Sequence, residues 1–161
     1  MAEVIRPWAA AVLTLAVASC TPAPPEAHDS AVVDLPVAAV RARVERSLRL
    51  RGLEPIGGPI RPGPIEAVGS GPPGRGWADC PALTLADPSR RTNRRARVDA
   101  TSVATRAVVS TAPEGDGSTR LTVRVDNTGT YINPFTNSPV PQPCPSTGVI
   151  ERELLASLQL G

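Results

Sequence analysis

The chain has 161 residues, with 17 basic and 15 acidic residues, and all of the basic residues are arginines. The resulting formal charge of +2 is too small to indicate binding to nucleic acid. Because lysine is absent, Ser–Lys dyads and Schiff bases are excluded, and a single histidine argues against a Ser-His-Asp triad. The composition therefore favours one small domain with little catalytic equipment.

The N-terminus carries a short apolar run that ends in a cysteine. From Ala9 to Ala18, every residue except Thr14 is apolar. This is the length of a signal-peptide core, and it is too short to span a bilayer as a helix, which takes roughly 20 apolar residues. The run closes with "VASC", so that Cys20 follows one aliphatic and two small residues. The pattern resembles the lipobox of bacterial lipoproteins.

The lipobox resemblance implies that residues 1–19 are a signal peptide and that Cys20 carries diacylglycerol and an acylated amino group. Two or three acyl chains would anchor the chain stably, at about 0.8 kcal/mol per buried methylene. Thr21 follows Cys20 where an aspartate would favour the inner membrane of enteric bacteria. We therefore expect the lipid on Cys20 to anchor the chain in the outer membrane, with the domain facing the periplasm. The alternatives are an ordinary secretory signal that leaves Cys20 as a thiol, and a short buried core helix.

The expected mature chain divides into a tether and one domain. Residues 20–30 are rich in proline and read as an extended spacer, in which His28 is a solvated linker residue rather than a metal ligand. Residues 31–161 are expected to form a single domain with a small aliphatic core. The large aromatic residues available to it are Trp77, Tyr131 and Phe135.

Cys80 and Cys144 remain as a pair once Cys20 carries lipid. An even pair in the oxidising periplasm predicts a disulfide. It would close a loop of about 65 residues, for which the chain-entropy model gives on the order of 4 kcal/mol. A metal site or a redox pair is a weaker interpretation, because no histidine lies near and the spacing is not CxxC.

The first folded unit is predicted to be a strand at Ala31–Val33 followed by a helix over 36–51. Asp34 is a candidate cap, and Gly52 is placed to end the helix. Apolar residues recur at helical spacing on one face, at Val37, Val40, Val44 and Leu48. Arginines lie mostly off that face, and they indicate either an anionic partner such as lipid headgroups or, as we favour, a solvated surface.

Two segments of the middle of the chain are predicted to be irregular. Residues 54–76 are dense in glycine and proline, which predicts a long loop. Residues 87–97 form a basic, turn-rich stretch that is either a solvated loop or a site for phosphate-rich headgroups and anionic glycans. The candidate anion-binding residues are Arg90, Arg91, Arg94, Arg95 and Arg97.

The second half of the chain predicts a hairpin and a terminal helix. Residues 97–111 are rich in β-branched residues, and 119–127 alternate between apolar and polar positions. A further short strand is expected around Tyr131, after which five prolines between 134 and 145 are expected to prevent regular structure. Ile150, Leu154 and Leu158 then form the apolar stripe of a helix that Cys144 would join to a strand at Trp77–Cys80.

These elements predict an α+β fold, with about three to five antiparallel strands, two helices on one face and one disulfide. The lipobox, the strand-then-helix opening and the terminal helix are similar to the helix-grip modules of the BamC family of outer-membrane assembly lipoproteins. That resemblance implies an accessory role in the envelope.

We predict a non-enzymatic envelope lipoprotein that binds or scaffolds an envelope protein, with no cofactor, no metal and no nucleic acid. The alternatives are a binder of anionic glycan or lipid through the arginine-rich stretch, and a small hydrolase whose carboxylates converge from distant positions.

Overall fold

In the computed structural model, residues 29–57, 63–89 and 93–159 are described. Within these ranges the chain forms two helices, a six-stranded antiparallel sheet and a separate two-stranded sheet, so the predicted α+β class is confirmed with more strands than the three to five expected. The elements are β1 (Asp29–Val33), α1 (Val37–Leu50), β2 (Glu54–Ile56), β3 (Ile65–Gly71), β4 (Leu83–Ala86), β5 (Arg95–Val98), β6 (Ser102–Pro113), β7 (Thr119–Ile132), β8 (Pro139–Cys144) and α2 (Val149–Gln159).

The main sheet is built around the long strand β7. The order is β1-β7-β6-β3-β2, and β8 also pairs with β7. Since β7 has 14 residues, one of its edges serves two strands: Asp29 of β1 lies opposite Val123, and Cys144 of β8 lies opposite Asn127. The predicted hairpin is formed by β6 and β7, and the strand expected around Tyr131 is the continuation of β7.

The two helices cover one face of the sheet and enclose the main core. Val40, Val44 and Leu48 of the predicted α1 stripe and Ile150, Leu154 and Leu158 of the predicted α2 stripe are buried, whereas Val37 in the first turn of α1 is half-buried. Facing them are sheet side chains that alternate with outward ones, as the period of two requires. The buried sheet residues are Val33, Ile65, Ala67, Ala107, Val109, Leu121, Val123 and Val125.

The ends of α1 only partly follow the prediction. Gly52 ends the helix with φ of 76°, its N–H donating to Arg49 O at 2.9 Å while Leu53 N donates to Leu48 O at 3.0 Å. This pair of bonds is a Schellman motif, and Leu53 is fully buried after it. At the other end, Pro36 occupies the cap position without a side-chain hydrogen bond, so Asp34 does not cap the helix.

The predicted loop over 54–76 contains two strands, β2 and β3. Alternation explains β3, since Ile65 and Ala67 face the core and Glu66 and Val68 face outward. Close packing explains why position 69 of β3 is a glycine. A Cβ on Gly69 would come within 2.8 Å of both the Gly52 carbonyl oxygen and a Leu53 methyl group. The glycine therefore permits the turn after α1 to lie directly against the strand.

The proline-rich segment before α2 is also a strand, contrary to prediction. Pro139, Pro141 and Pro143 of β8 occupy alternate positions, so their nitrogens all point to the same side, away from β7. The residues between them keep their N–H groups toward β7. Because β8 pairs with β7 alone in the described structure, proline is compatible with this edge strand.

The predicted disulfide between Cys80 and Cys144 is confirmed, with the two Cα atoms 4.9 Å apart. Instead of a strand, the segment before Cys80 forms a single bridge, Ala78 opposite Ser146, which joins it to the start of α2. The disulfide lies on Gly129 of β7. Beside it, Tyr131 is fully buried and donates its hydroxyl to Pro81 O at 2.8 Å. We call residues 77–81 the disulfide segment. Together with Cys144, it covers Gly129 and Tyr131, on the part of this sheet face that the helices do not cover.

Candidate anion-binding surfaces

The predicted arginine-rich stretch lies on the two-stranded sheet of β4 and β5, rather than entirely in a loop. Arg94 forms a cation–π contact with Phe135, with its guanidinium carbon 5.3 Å from the ring centroid. Arg95 and Arg97 are exposed on the same face of β5, about 7 Å apart along the strand, and no acidic partner contacts them in the described ranges. The structure therefore brings two of the five arginines together, while Arg90 and Arg91 lie outside the described residues.

A second basic surface is a groove between the outer sides of α1 and α2. Its volume is about 330 Å³, and it is lined by Arg43, Arg46, Ser47, Leu50 and Ser157. The four residues of α1 stand at i, i+3, i+4 and i+7, which places them on one side of the helix. Leu50 is 81% exposed, so the groove presents an aliphatic side chain beside two guanidinium groups.

The floor of this groove is held by a directed chain of hydrogen bonds. Ser157 Oγ donates to Leu154 O at 2.7 Å, so the 2.9 Å contact between the two hydroxyls is donated by Ser47. Ser47 Oγ in turn accepts from Arg51 Nη1. Arg51 also bonds Glu153 through Nε at 3.0 Å, which fixes α1 antiparallel to α2. The groove is consequently preformed, and a ligand would not have to order its floor.

The charge of the groove comes from arginines that other groups do not neutralise. Helix α1 contains four arginines and one glutamate, and that glutamate, Glu45, lies 3.9 Å from Arg49. In the described ranges, neither Arg43 nor Arg46 forms an ion pair. The groove can therefore hold an anionic group next to an apolar one. The sequence indicated arginines on this helix, but it could not show that α2 forms the opposite wall.

Carboxylates elsewhere are engaged in local structure. Glu114, at the turn between β6 and β7, accepts from Arg120 Nε at 2.7 Å and from its Nη2. The hydrogen bond from Arg120 lowers the pKa of Glu114 below its ordinary value of 4.5. No group of three His, Cys, Asp or Glu residues able to hold a metal ion occurs within the described part of the chain.

Among the described residues, Glu151 is the buried carboxylate, with 2% of its surface exposed. Its Oε1 accepts from Ser146 Oγ at 2.7 Å, and its Oε2 has no hydrogen-bond partner among the described residues. Glu151 lies in the first turn of α2, where the helix dipole favours a negative charge. Because Ser146 belongs to the bridge with Ala78, this carboxylate joins the disulfide segment to α2.

No protein-family model matches the chain, and no curated protein matches it. None of the helices in the described ranges is long and apolar enough to cross a membrane. Cys20, His28 and the apolar run before them lie outside the described residues, so the lipobox and the similarity to the BamC family stay predictions.

Proposed function

We propose that the protein is a lipid-anchored lipoprotein of the cell envelope, and that its domain binds another envelope protein without catalysing a reaction. The distribution of cysteines supports the anchor. Cys80 and Cys144 are bonded to each other, which leaves Cys20 at the end of the apolar run as the remaining thiol. Disulfides persist in oxidising compartments such as the periplasm, where a lipoprotein domain would fold.

The observation that carries the binding role is an aliphatic row on the open face of the sheet. Ile56 is 56% exposed and Val68 is 41% exposed, although both belong to regular strands. Glu66 lies directly opposite both Ile56 and the half-buried Val108, so Val68, two residues further along β3, is the diagonal neighbour of each. Diagonal neighbours on a sheet are about 7–8 Å apart. We call these three aliphatic residues the sheet-face row.

An ion pair crosses the sheet-face row. Arg106 Nη2 donates to Glu66 Oε2 at 2.7 Å, along the opposite diagonal of the same strands. Apolar side chains beside fixed polar groups are the usual composition of a protein–protein interface. The sheet-face row therefore supports a protein partner better than a small-molecule ligand, which requires a concave site.

Intact mass tests the anchor. The full-length chain, produced in a bacterial host, is measured beside a Cys20→Ala variant, with and without reduction. We expect a chain that begins at Cys20 and carries acyl mass, and a two-hydrogen increase on reduction of Cys80–Cys144. An unmodified chain, or one that retains residues 1–19, would contradict the anchor.

In-cell crosslinking tests the binding surface. A photoreactive amino acid in place of Val68 is compared with the same group in place of Thr128, which is exposed on the same face. We expect a discrete protein adduct at position 68 that is lost in an Ile56→Asp background and retained in a Ser110→Asp background. Equal adducts at 68 and 128 would contradict the sheet-face row as the binding site.

A second candidate function is favoured by the exposed pair Arg95 and Arg97. These two guanidinium groups support a binder of anionic glycan or lipid, as the sequence predicted. Binding to isolated envelope fragments would then fall steeply with salt, and an Arg95→Gln/Arg97→Gln variant would lose that dependence. Binding that is independent of salt would contradict this candidate.

A further inference from the structure

We propose that the groove between α1 and α2 rests on the surface of the bilayer that holds the anchor. Arg43 and Arg46 contact anionic lipid headgroups, and Leu50 enters the interface between headgroups and acyl chains. This inference rests on the proposed anchoring at Cys20, and it goes beyond that anchoring because it gives the folded domain its own contact with the membrane and a fixed orientation.

The combination of side chains in the groove matches a bilayer surface. A peripheral membrane contact needs basic groups for the headgroups and an apolar group that reaches past them. Four large hydrophobic residues are exposed in the described chain, namely Val32, Leu50, Ile56 and Val68. Of these, Leu50 stands at i+4 from Arg46 and i+7 from Arg43 on one helix face. Transfer of the Leu50 side chain into lipid would offset the free-energy cost of exposing it to water.

The other basic surfaces lack one of these two components. On the open sheet face, Arg106, Arg120 and Arg124 are each bonded to a carboxylate, from Glu66, Glu114 and Asp126 respectively. That face is therefore locally neutralised. On β5, Arg95 and Arg97 lie beside Thr84 and Ala86, with no large exposed aliphatic residue.

The chain path allows the helix layer to reach the membrane. Val33, at the end of β1, lies opposite Thr119, near the turn between β6 and β7, and α1 begins just after it. Helix α1 leads into Glu54, which lies opposite Val68 and is level with Asp126 near the middle of β7. The chain enters β1 at Asp29, opposite Val123, so the tether joins the domain three residues along β7 from the level of Glu54. Nine residue steps separate Cys20 from Asp29, with a maximum span of about 30 Å.

A fluorescence experiment on the anchored protein tests the orientation. The full-length chain is reconstituted in vesicles of zwitterionic lipid and in vesicles with added anionic phosphatidylglycerol. A polarity-sensitive fluorescent amino acid replaces Leu50, whose exposure tolerates it, and in a control protein it replaces Ile56 on the opposite face. At position 50, we expect the emission to shift to the blue and to be protected from an aqueous quencher in the vesicles with phosphatidylglycerol, but not in the zwitterionic vesicles. At position 56, we expect no change in either vesicle type.

Two charge variants distinguish the groove from general attraction. Arg43→Gln/Arg46→Gln should weaken the headgroup contact about 25-fold, at about fivefold for each basic residue. Arg120→Gln/Arg124→Gln removes the same charge from the open sheet face, where both arginines are paired with carboxylates, and should leave the shift unchanged. An equal loss in both variants, or a shift at position 56 as large as at position 50, would overturn the proposal.

The zwitterionic vesicles separate a failed anchor from a failed groove contact. Protein bound to both vesicle types with the same emission keeps the anchor and overturns the groove contact. Protein bound to anionic vesicles alone, with the shift at position 50, supports the groove contact and contradicts the anchor. Protein bound to neither vesicle type contradicts both.

Discussion

Gly129 shows how a single missing side chain permits the disulfide to pack on the sheet. A Cβ at this position would lie 2.8 Å from Cys144 Sγ and 3.0 Å from Cys80 Sγ. Gly129→Ala should therefore lower the free energy of unfolding by about 1–3 kcal/mol through overpacking. Denaturant unfolding measures this change, with Gly74→Ala as the control because a Cβ there meets nothing within 4 Å. Equal stability of the two variants would show that the disulfide can move without cost.

Glu114 provides a prediction that depends on pH. Because Arg120 lowers the pKa of Glu114, its pair stabilises the fold above the unfolded-state pKa, and this contribution is lost as the pH falls through the lower folded-state pKa. A carboxyl NMR titration should place the Glu114 midpoint below 4.5 in the native protein. In Arg120→Gln the midpoint should rise, and the stabilities of the two proteins should converge in acid. An unchanged midpoint would mean that the pair is not formed in solution.

At the scale of elements, the sequence predicted those whose pattern repeats without interruption. The α1 stripe and the alternation in β7 are long, so α1 and the hairpin of β6 and β7 were predicted correctly. Strands β3 and β8 were wrongly predicted as irregular because glycine and proline were read for their intrinsic preferences. Gly69 is there for close packing, and the prolines of β8 stand at an unpaired edge, and both reasons depend on neighbours distant in the sequence.

The prolines of β8 are expected to protect this edge from pairing with another molecule. Replacing Pro139, Pro141 and Pro143 by threonine would place three new N–H groups along the open side of the strand. We expect the triple variant to associate in a concentration-dependent manner that sedimentation velocity detects. In the control, Val140→Thr/Gln142→Thr introduces two threonine side chains but no outward N–H group and should remain unassociated. Association of the control to the same extent would assign the effect to side chains.

At the scale of the whole molecule, the candidate sites depend on segments far apart in the sequence. The sequence indicated that α1 and the β5 stretch carry basic surfaces, and it predicted the pairing of Cys80 with Cys144. It could not predict the groove, because Ser157 meets Ser47 only when both ends of the chain pack on the same face of the sheet. The sheet-face row likewise joins three strands through their register. Such surfaces follow from topology, which no local pattern encodes.

The core of the molecule has two parts, and the disulfide belongs to one of them. The helices cover Leu121, Val123 and Val125 of β7, whereas the disulfide segment covers Gly129 and Tyr131. A Cys80→Ala/Cys144→Ala variant should lose about 4 kcal/mol of stability, since the closed loop spans a sequence separation of 64. The region around the disulfide should be affected most, because the two sulfurs pack directly on Gly129 of β7, whereas in the described structure the disulfide segment meets the helix-covered core only through Trp77 and the Ser146–Glu151 hydrogen bond.

Hydrogen exchange distinguishes the local from the global loss. In the disulfide-free variant, amides of 127–132 and of β8 should exchange by local opening and lose more protection than amides of 121–125, whose protection falls only by the global loss. A uniform decrease along β7 would mean that the two parts of the core unfold as one unit. In the predicted case, reduction would release the start of α2 through Ser146 while the groove, held by Arg51 and Glu153, stays formed. Contact with the membrane would then survive reduction, and the disulfide would serve the sheet rather than the basic groove.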